Sequence, residues 1–259
     1  MLSTICRVDS KIYAFEVIAY PLQTFLIYDE LTNSTTTAQL AFPNSITSVM
    51  NGPIISSLKY NGSELIALVI EEYSNNQGRI VSIDLESYEV TDLGISFPQK
   101  DVVSIELIDN DLFLATLQNG LIKVDLSNGS ITELTDDGNR IKGTRLTKIS
   151  DSKLAVMNRI SGFVNGIKPF EYDLTNNTFS DKSLGNNYAV GSITGKSFFY
   201  QGEVLDFVFV ENNEEEPNED GSIVEYSNYI LKDNYQTNEI KTVKVSKKEA
   251  NIVIVDIVE

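Results

Sequence analysis

The stretch Leu121-Ile122-Lys123-Val124-Asp125-Leu126-Ser127-Asn128-Gly129-Ser130-Ile131-Thr132-Glu133-Leu134 decides the fold. A short apolar run ends in Asp-Leu. A polar turn carrying Asn-Gly follows, and a second short run closes the unit. β-Branched and apolar residues suit a pleated, half-buried surface, and Asn-Gly between two such runs is a strong hairpin signal. The unit recurs. Ile80-Val81-Ser82-Ile83-Asp84-Leu85 leads to Val90-Thr91-Asp92-Leu93, and Pro169-Phe170-Glu171-Tyr172-Asp173-Leu174 leads to Phe179-Ser180-Asp181. Fainter copies run from Phe25-Leu26-Ile27-Tyr28-Asp29 to Thr36–Leu40 and from Tyr229-Ile230-Leu231-Lys232-Asp233 to Ile240–Val243. The repeated aspartates are Asp29, Asp84, Asp125, Asp173 and Asp233, spaced between 41 residues (Asp84 to Asp125) and 60 residues (Asp173 to Asp233). A carboxylate there can accept backbone N–H bonds from the turn that follows, which is a structural role.

A second hairpin precedes each of these units. Its turns fall at Asp9-Ser10, Asn61-Gly62, Asp109-Asn110, Ser150-Asp151 and Gln201-Gly202. Helical periodicity is almost absent from the chain. The expectation is therefore all-β, with five units of four antiparallel strands over residues 3–42, 54–97, 101–136, 144–184 and 188–246. A period of roughly 40 to 60 residues with four strands per repeat resembles the β-propeller superfamily, in a five-bladed form. The chain has no Trp, so the WD dipeptide of one large branch of that superfamily does not occur. Residues 249–259, with Ile252-Val253-Ile254-Val255 inside them, lie beyond the fifth unit. They are expected to add a strand that acts as a clasp, because closure removes unpaired sheet edges.

Composition narrows the function. Among 259 residues there are 20 Lys and Arg against 37 Asp and Glu, a net charge of −17, with no His and one Cys. Without His there is no imidazole base and no His-ligated metal. One Cys forms no intrachain disulfide and no thiolate cluster. The acidity disfavours nucleic acid and anionic membrane surfaces, whose binding is led by phosphate neutralisation. No apolar run of about 18 residues occurs, and no basic segment followed by an apolar run opens the chain, so the default location is intracellular.

The longer connections supply the candidate site. Residues 158–168 (Asn158-Arg159-Ile160-Ser161-Gly162-Phe163-Val164-Asn165-Gly166-Ile167-Lys168) form a cationic, partly apolar connection in the fourth unit. Arg159 and Phe163 are residue types enriched at interfaces. Tyr20 and Tyr73 occupy the corresponding connections of the first two units. Recognition concentrates on loops held by a rigid scaffold. The fifth unit carries Glu211-Asn212-Asn213-Glu214-Glu215-Glu216-Pro217-Asn218-Glu219-Asp220-Gly221 instead. Glu214, Glu216 and Asp220 are the oxygens a hard cation would use, yet the calcium-loop template is met poorly, with Ser227 where a bidentate Glu belongs. No metal and no cofactor are expected.

The resemblance implies one enzymatic comparison, because five-bladed propellers include glycosidases with carboxylates around the central channel. Such chemistry needs two carboxyl groups about 5 to 10 Å apart. Near the starts of the innermost strands only Asp101 is acidic. The chain is therefore expected to be a non-catalytic protein-interaction scaffold for a partner with a basic surface. A carbohydrate-active propeller, lectin or glycosidase, is the alternative. A structural component of a larger particle such as a virion is a third.

Overall fold

A computed structural model describes residues 2–17, 23–46, 53–70, 77–98, 102–116, 120–136, 139–140, 143–160, 166–182, 188–189, 192–200, 202–212, 225–234, 237 and 239–247. Every regular element among them is a strand. The first sheet runs β1 (Leu2–Val8), β2 (Lys11–Val17), β3 (Gln23–Asp29), β4 (Ser34–Gln39), paired in that order. The second runs β5 (Ile54–Tyr60), β6 (Leu65–Ile70), β7 (Gln77–Ile83), β8 (Val90–Pro98). The third holds β9 (Val102–Ile108), β10 (Asp111–Thr116), β11 (Leu121–Asp125) and β12 (Ile131–Asp136), with a two-residue β13 (Asn139–Arg140) on its outer edge. The fourth holds β14 (Gly143–Ser150), β15 (Lys153–Ile160), β16 (Gly166–Asp173) and β17 (Thr178–Asp181), and β18 (Tyr188–Ala189) pairs β16 as well. The fifth is β19 (Ser192–Tyr200), β20 (Glu203–Asn212), β21 (Glu225–Asn234) and β22 (Glu239–Lys247). Strands pair in chain order as meanders, so the expected all-β, four-stranded repeat is present in all five units. The expected clasp, residues 249–259, lies outside the described residues.

The chain divides into two compact units, Met1–Glu133 and Leu134–Ile257. In the first, β5 stands beside both β1 and β9, and the three sheets pack face to face. This explains why β6 is an unbroken apolar run rather than an alternating one. Successive side chains of a strand point to opposite faces. Leu65, Ala67 and Val69 pack with Phe15, Phe25 and Ile27 of the first sheet. Ile66 and Leu68 pack with Leu112, Leu114 and Val124 of the third. Both faces of the middle sheet are core. Phe25 meets Tyr13 and Phe15 edge-on, at centroid distances of 5.9 and 6.3 Å, a favoured geometry for aromatic pairs. In the second unit β14 stands beside β19, and Ala155 packs on Val204.

Two features repeat, of which the sequence announced only the second. The first strand of all five sheets carries a register irregularity, between Leu2 and Thr4, Ile55 and Ser57, Val102 and Ser104, Gly143 and Arg145, and Ile193 and Ser197. Such bulges bend a strand and increase its twist. The second is the turn between the third and fourth strands. Asp29, Asp84, Asp125 and Asp173 each direct one carboxylate oxygen back onto backbone N–H groups of the turn, at Leu31 and Thr32, Glu86 and Ser87, Ser127, and Thr175 and Asn176. Four residues after each aspartate the chain takes a positive φ, at Asn33 (51°), Tyr88 (59°), Gly129 (72°) and Asn177 (52°).

The fifth sheet corrects the expected repeat by one residue. There Asn234, not Asp233, is the last residue paired before the turn, and its Oδ1 accepts the Thr237 N–H. Asp233 is paired one step earlier, opposite Ile240. The adjacent Asp-Asn hid the register, because Asn accepts the same bond.

Candidate functional site

Connectivity gives every sheet two different ends. The turns between first and second strands and between third and fourth strands share one end of each meander. The connection from second to third strand leaves from the other. The first end is short and stereotyped. It carries the aspartate turns and hairpins such as Asp9-Ser10, where Asp9 has φ 53°, and Asn61-Gly62, where Gly62 has φ 99°. The second end is spanned by residues 18–22, 71–76, 117–120, 161–165 and 213–224.

All the candidate recognition residues map to that second end. Arg159 lies on β15, its backbone opposite Ile167 of β16. Phe163, Tyr20 and Tyr73 fall in 161–165, 18–22 and 71–76, and Glu214, Glu216 and Asp220 in 213–224; these six lie outside the described residues, as does Asp101. Among the described residues no group of three or more His, Cys, Asp or Glu stands ready to hold a metal ion. No helix there is long and apolar enough to cross a membrane.

Several of the described carboxylates are occupied in the fold. Asp84 is held below the usual carboxylate range, chiefly by the Ser87 N–H. The Ser127 hydroxyl does the same for Asp125, and the Asn176 N–H for Asp173. Two glutamates are buried. Glu106 on β9 takes Lys59 of β5 at 2.9 Å on one oxygen and its neighbour's Leu107 N–H on the other. Glu171 on β16 takes Lys153 at 2.8 Å and Lys182 at 3.9 Å on opposite oxygens. That bond raises the Lys153 ammonium pKa, keeping the lysine charged. A buried carboxylate so paired contributes to the fold through its lysine.

The sequence reading missed these pairs because nothing in the local pattern joins Lys59 to Glu106, 47 residues apart. It also missed a smaller motif that was visible. Tyr-Asp with Asn four residues after the Asp occurs at Tyr28-Asp29…Asn33 and Tyr172-Asp173…Asn177, and in both the tyrosine hydroxyl donates to the Asn Oδ1, at 2.8 and 3.0 Å. Three triplets of Asn-x-Ser/Thr form, which begin at Asn61, Asn128 and Asn176, serve as turns. Asn61 Oδ1 accepts from Ser63 and Glu64, and the amides of Asn128 and Asn176 donate to Asp125 and Asp173.

No protein-family model matches the sequence, and no curated protein matches it. Solved structures do match in fold. Puromycin hydrolase superposes with a TM-score of 0.59 at 12% identity, over 96% of this chain and 38% of that one. Hydrazine synthase of Kuenenia stuttgartiensis gives 0.62 at 10%, over 94% and 65%. TolB from Acinetobacter baumannii gives 0.60 at 15%, over 95% and 55%. The chain thus spans between 38% and 65% of the length of these solved chains. The likeness is one of fold: these are propeller-like folds, and the all-β, repeated four-stranded antiparallel sheets of this chain are consistent with one.

Proposed function

We propose that the chain is a non-catalytic protein-binding scaffold that engages a partner of basic surface through the second-to-third-strand connections of its sheets. The observation that carries this is the asymmetry of the sheet ends. One end is spent on repeated, self-satisfied turns. The other is left to connections that differ in length and composition from sheet to sheet. Tyr20 and Tyr73 in the first compact unit, and Arg159 and Phe163 in the second, are residue types that anchor such surfaces, each at the connection of its own sheet. The charge of −17 supports a cationic partner through long-range steering. Glu106 and Glu171, the two buried glutamates among the described residues, are engaged by lysines, which supports a structural role for them.

Affinity capture from the native source, with mass spectrometry, tests this. The wild-type chain and a variant altered in the turns (Asn33→Gly) should retain the same basic partner, and Arg159→Ala/Phe163→Ala should lose it. Capture should weaken as salt rises, because exposed charges are screened over about 10 Å at 0.1 M. A partner held equally by all three would move the interface elsewhere. No partner, together with a signal on a glycan array, would replace the proposal with the carbohydrate-binding alternative.

A further inference from the structure

The outermost strands of the five sheets are not alike. β8 is interrupted by a bulge between Asp92 and Ile95, where Gly94 has φ 74°, and it ends in Pro98. β12 carries Glu133 and is partly covered by β13. The fourth sheet's edge is broken into β17, four residues long, and β18. β22 carries Lys241, Lys244 and Lys247 and a register shift. Charge, proline, bulges, brevity and covering are the devices that stop an edge from pairing with another chain. β4, Ser34-Thr35-Thr36-Thr37-Ala38-Gln39, has none of them along its own length; the edge is covered only past its C-terminal end, where Ala41 bridges Glu89 in parallel, its N–H donating to the Tyr88 carbonyl and its carbonyl accepting from Val90. The strand carries no charge and no proline, pairs β3 without a register shift, and exposes every residue except Ala38.

From this contrast we infer that β4 is a second binding surface, which accepts an extended segment of a partner protein as an added antiparallel or parallel strand. The acceptor groups can be assigned. In the second sheet the pair matching Asp29–Ser34 is hydrogen bonded, the Asp84 N–H donating to the Glu89 carbonyl at 3.1 Å. The same register turns the amides of Thr36 and Ala38 toward β3 and those of Thr35, Thr37 and Gln39 outward. Two of the three large apolar side chains exposed among the described residues also stand here. They are Tyr28, opposite Thr35, and Leu31, 83% exposed in the turn that leads into β4. These features define the occupant: about six residues in extended form, β-branched along the strand, with an apolar residue toward Tyr28 and Leu31. Basic flanks fit a chain of charge −17. A second copy of this chain fits less well, since each copy carries that same charge. The surface is separate from the loop surface proposed above, and neither depends on the other.

The test uses the full chain and an array of heptapeptides Lys-Thr-X-Thr-X-Thr-Lys, with X aliphatic or aromatic. The best binder is then remade with alternate backbone amides methylated, which keeps its side chains and charge and removes its ladder donors. The expected result is a binder whose affinity falls at least tenfold on methylation and again in Thr37→Pro, where Pro replaces an outward amide. It should also slow hydrogen exchange at Thr35 and Thr37. Arg159→Ala/Phe163→Ala should bind the peptide as well as the wild type does, which separates this surface from the other. If Thr37→Pro lowers the melting temperature, the methylated peptide alone decides. Equal binding of both peptides, or no binder in the array, overturns the inference. Self-association of the chain that Thr37→Pro abolishes also overturns it, by making the occupant a second copy.

Discussion

Asp84, Asp125 and Asp173 each close a turn with an ionised carboxylate, and the same bonds hold each below the ordinary aspartate range. Their folded-state pKa values therefore lie below the unfolded ones. The stabilisation is complete above the unfolded value and is lost as pH falls through the folded values. Thermal melts from about pH 6 to about pH 2 should show the wild type losing stability below about pH 4. Asp84→Asn/Asp125→Asn/Asp173→Asn should start lower and decline less steeply, because Asn keeps an acceptor oxygen and loses the charge. Parallel curves would contradict this account of the turns. Gly129 tests the same turns through the backbone. Its φ is 72° and nothing lies within 4 Å of the place a Cβ would take, so Gly129→Ala meets no clash. The cost is conformational alone, about 1 kcal/mol by urea denaturation; a neutral substitution would mean that the turn relaxes to another form. The aspartates themselves were legible in the sequence. The positive φ four residues later was legible only where Asn or Gly occupies it, and Tyr88 concealed it in the second sheet.

At the scale of elements, the buried pair Lys59–Glu106 joins the first strands of the second and third sheets. Lys59→Met removes the lysine from a buried carboxylate and should cost about 2 kcal/mol. This is below the 3 to 5 kcal/mol of fully buried pairs, because Lys59 is partly exposed. Lys59→Met/Glu106→Leu should recover most of that loss. Additive losses in the double-mutant cycle would show that the two side chains act independently. Strand existence was legible from apolar runs and turn residues, and so were four of the five aspartate turns. The bulges, the two short strands β13 and β18 and the ion pairs were not. They depend on which sheet face meets which neighbour, and a period-two pattern does not encode that. Leu65–Ile70 illustrates the limit. Its sequence says apolar throughout, and only the flanking sheets explain why both faces need to be.

For the molecule as a whole, the repeat of turn, bulge and meander accounts for the fold, and the difference between sheet ends accounts for the proposed binding. The sequence places Arg159, Phe163, Tyr20 and Tyr73 in the second-to-third-strand connections; Arg159 instead lies on β15, paired opposite Ile167, and the other three lie outside the described residues. Recognition surfaces leave no periodic signal, so the sequence repeat could place these residues but not assign their role. The most direct measurement is a hydrogen-exchange footprint of the chain with and without its captured partner. The account predicts slowed exchange in 18–22, 71–76 and 161–165, with the turns at 29–33, 84–88, 125–129 and 173–177 unchanged. Protection confined to those turns, with none in the connections, would contradict it.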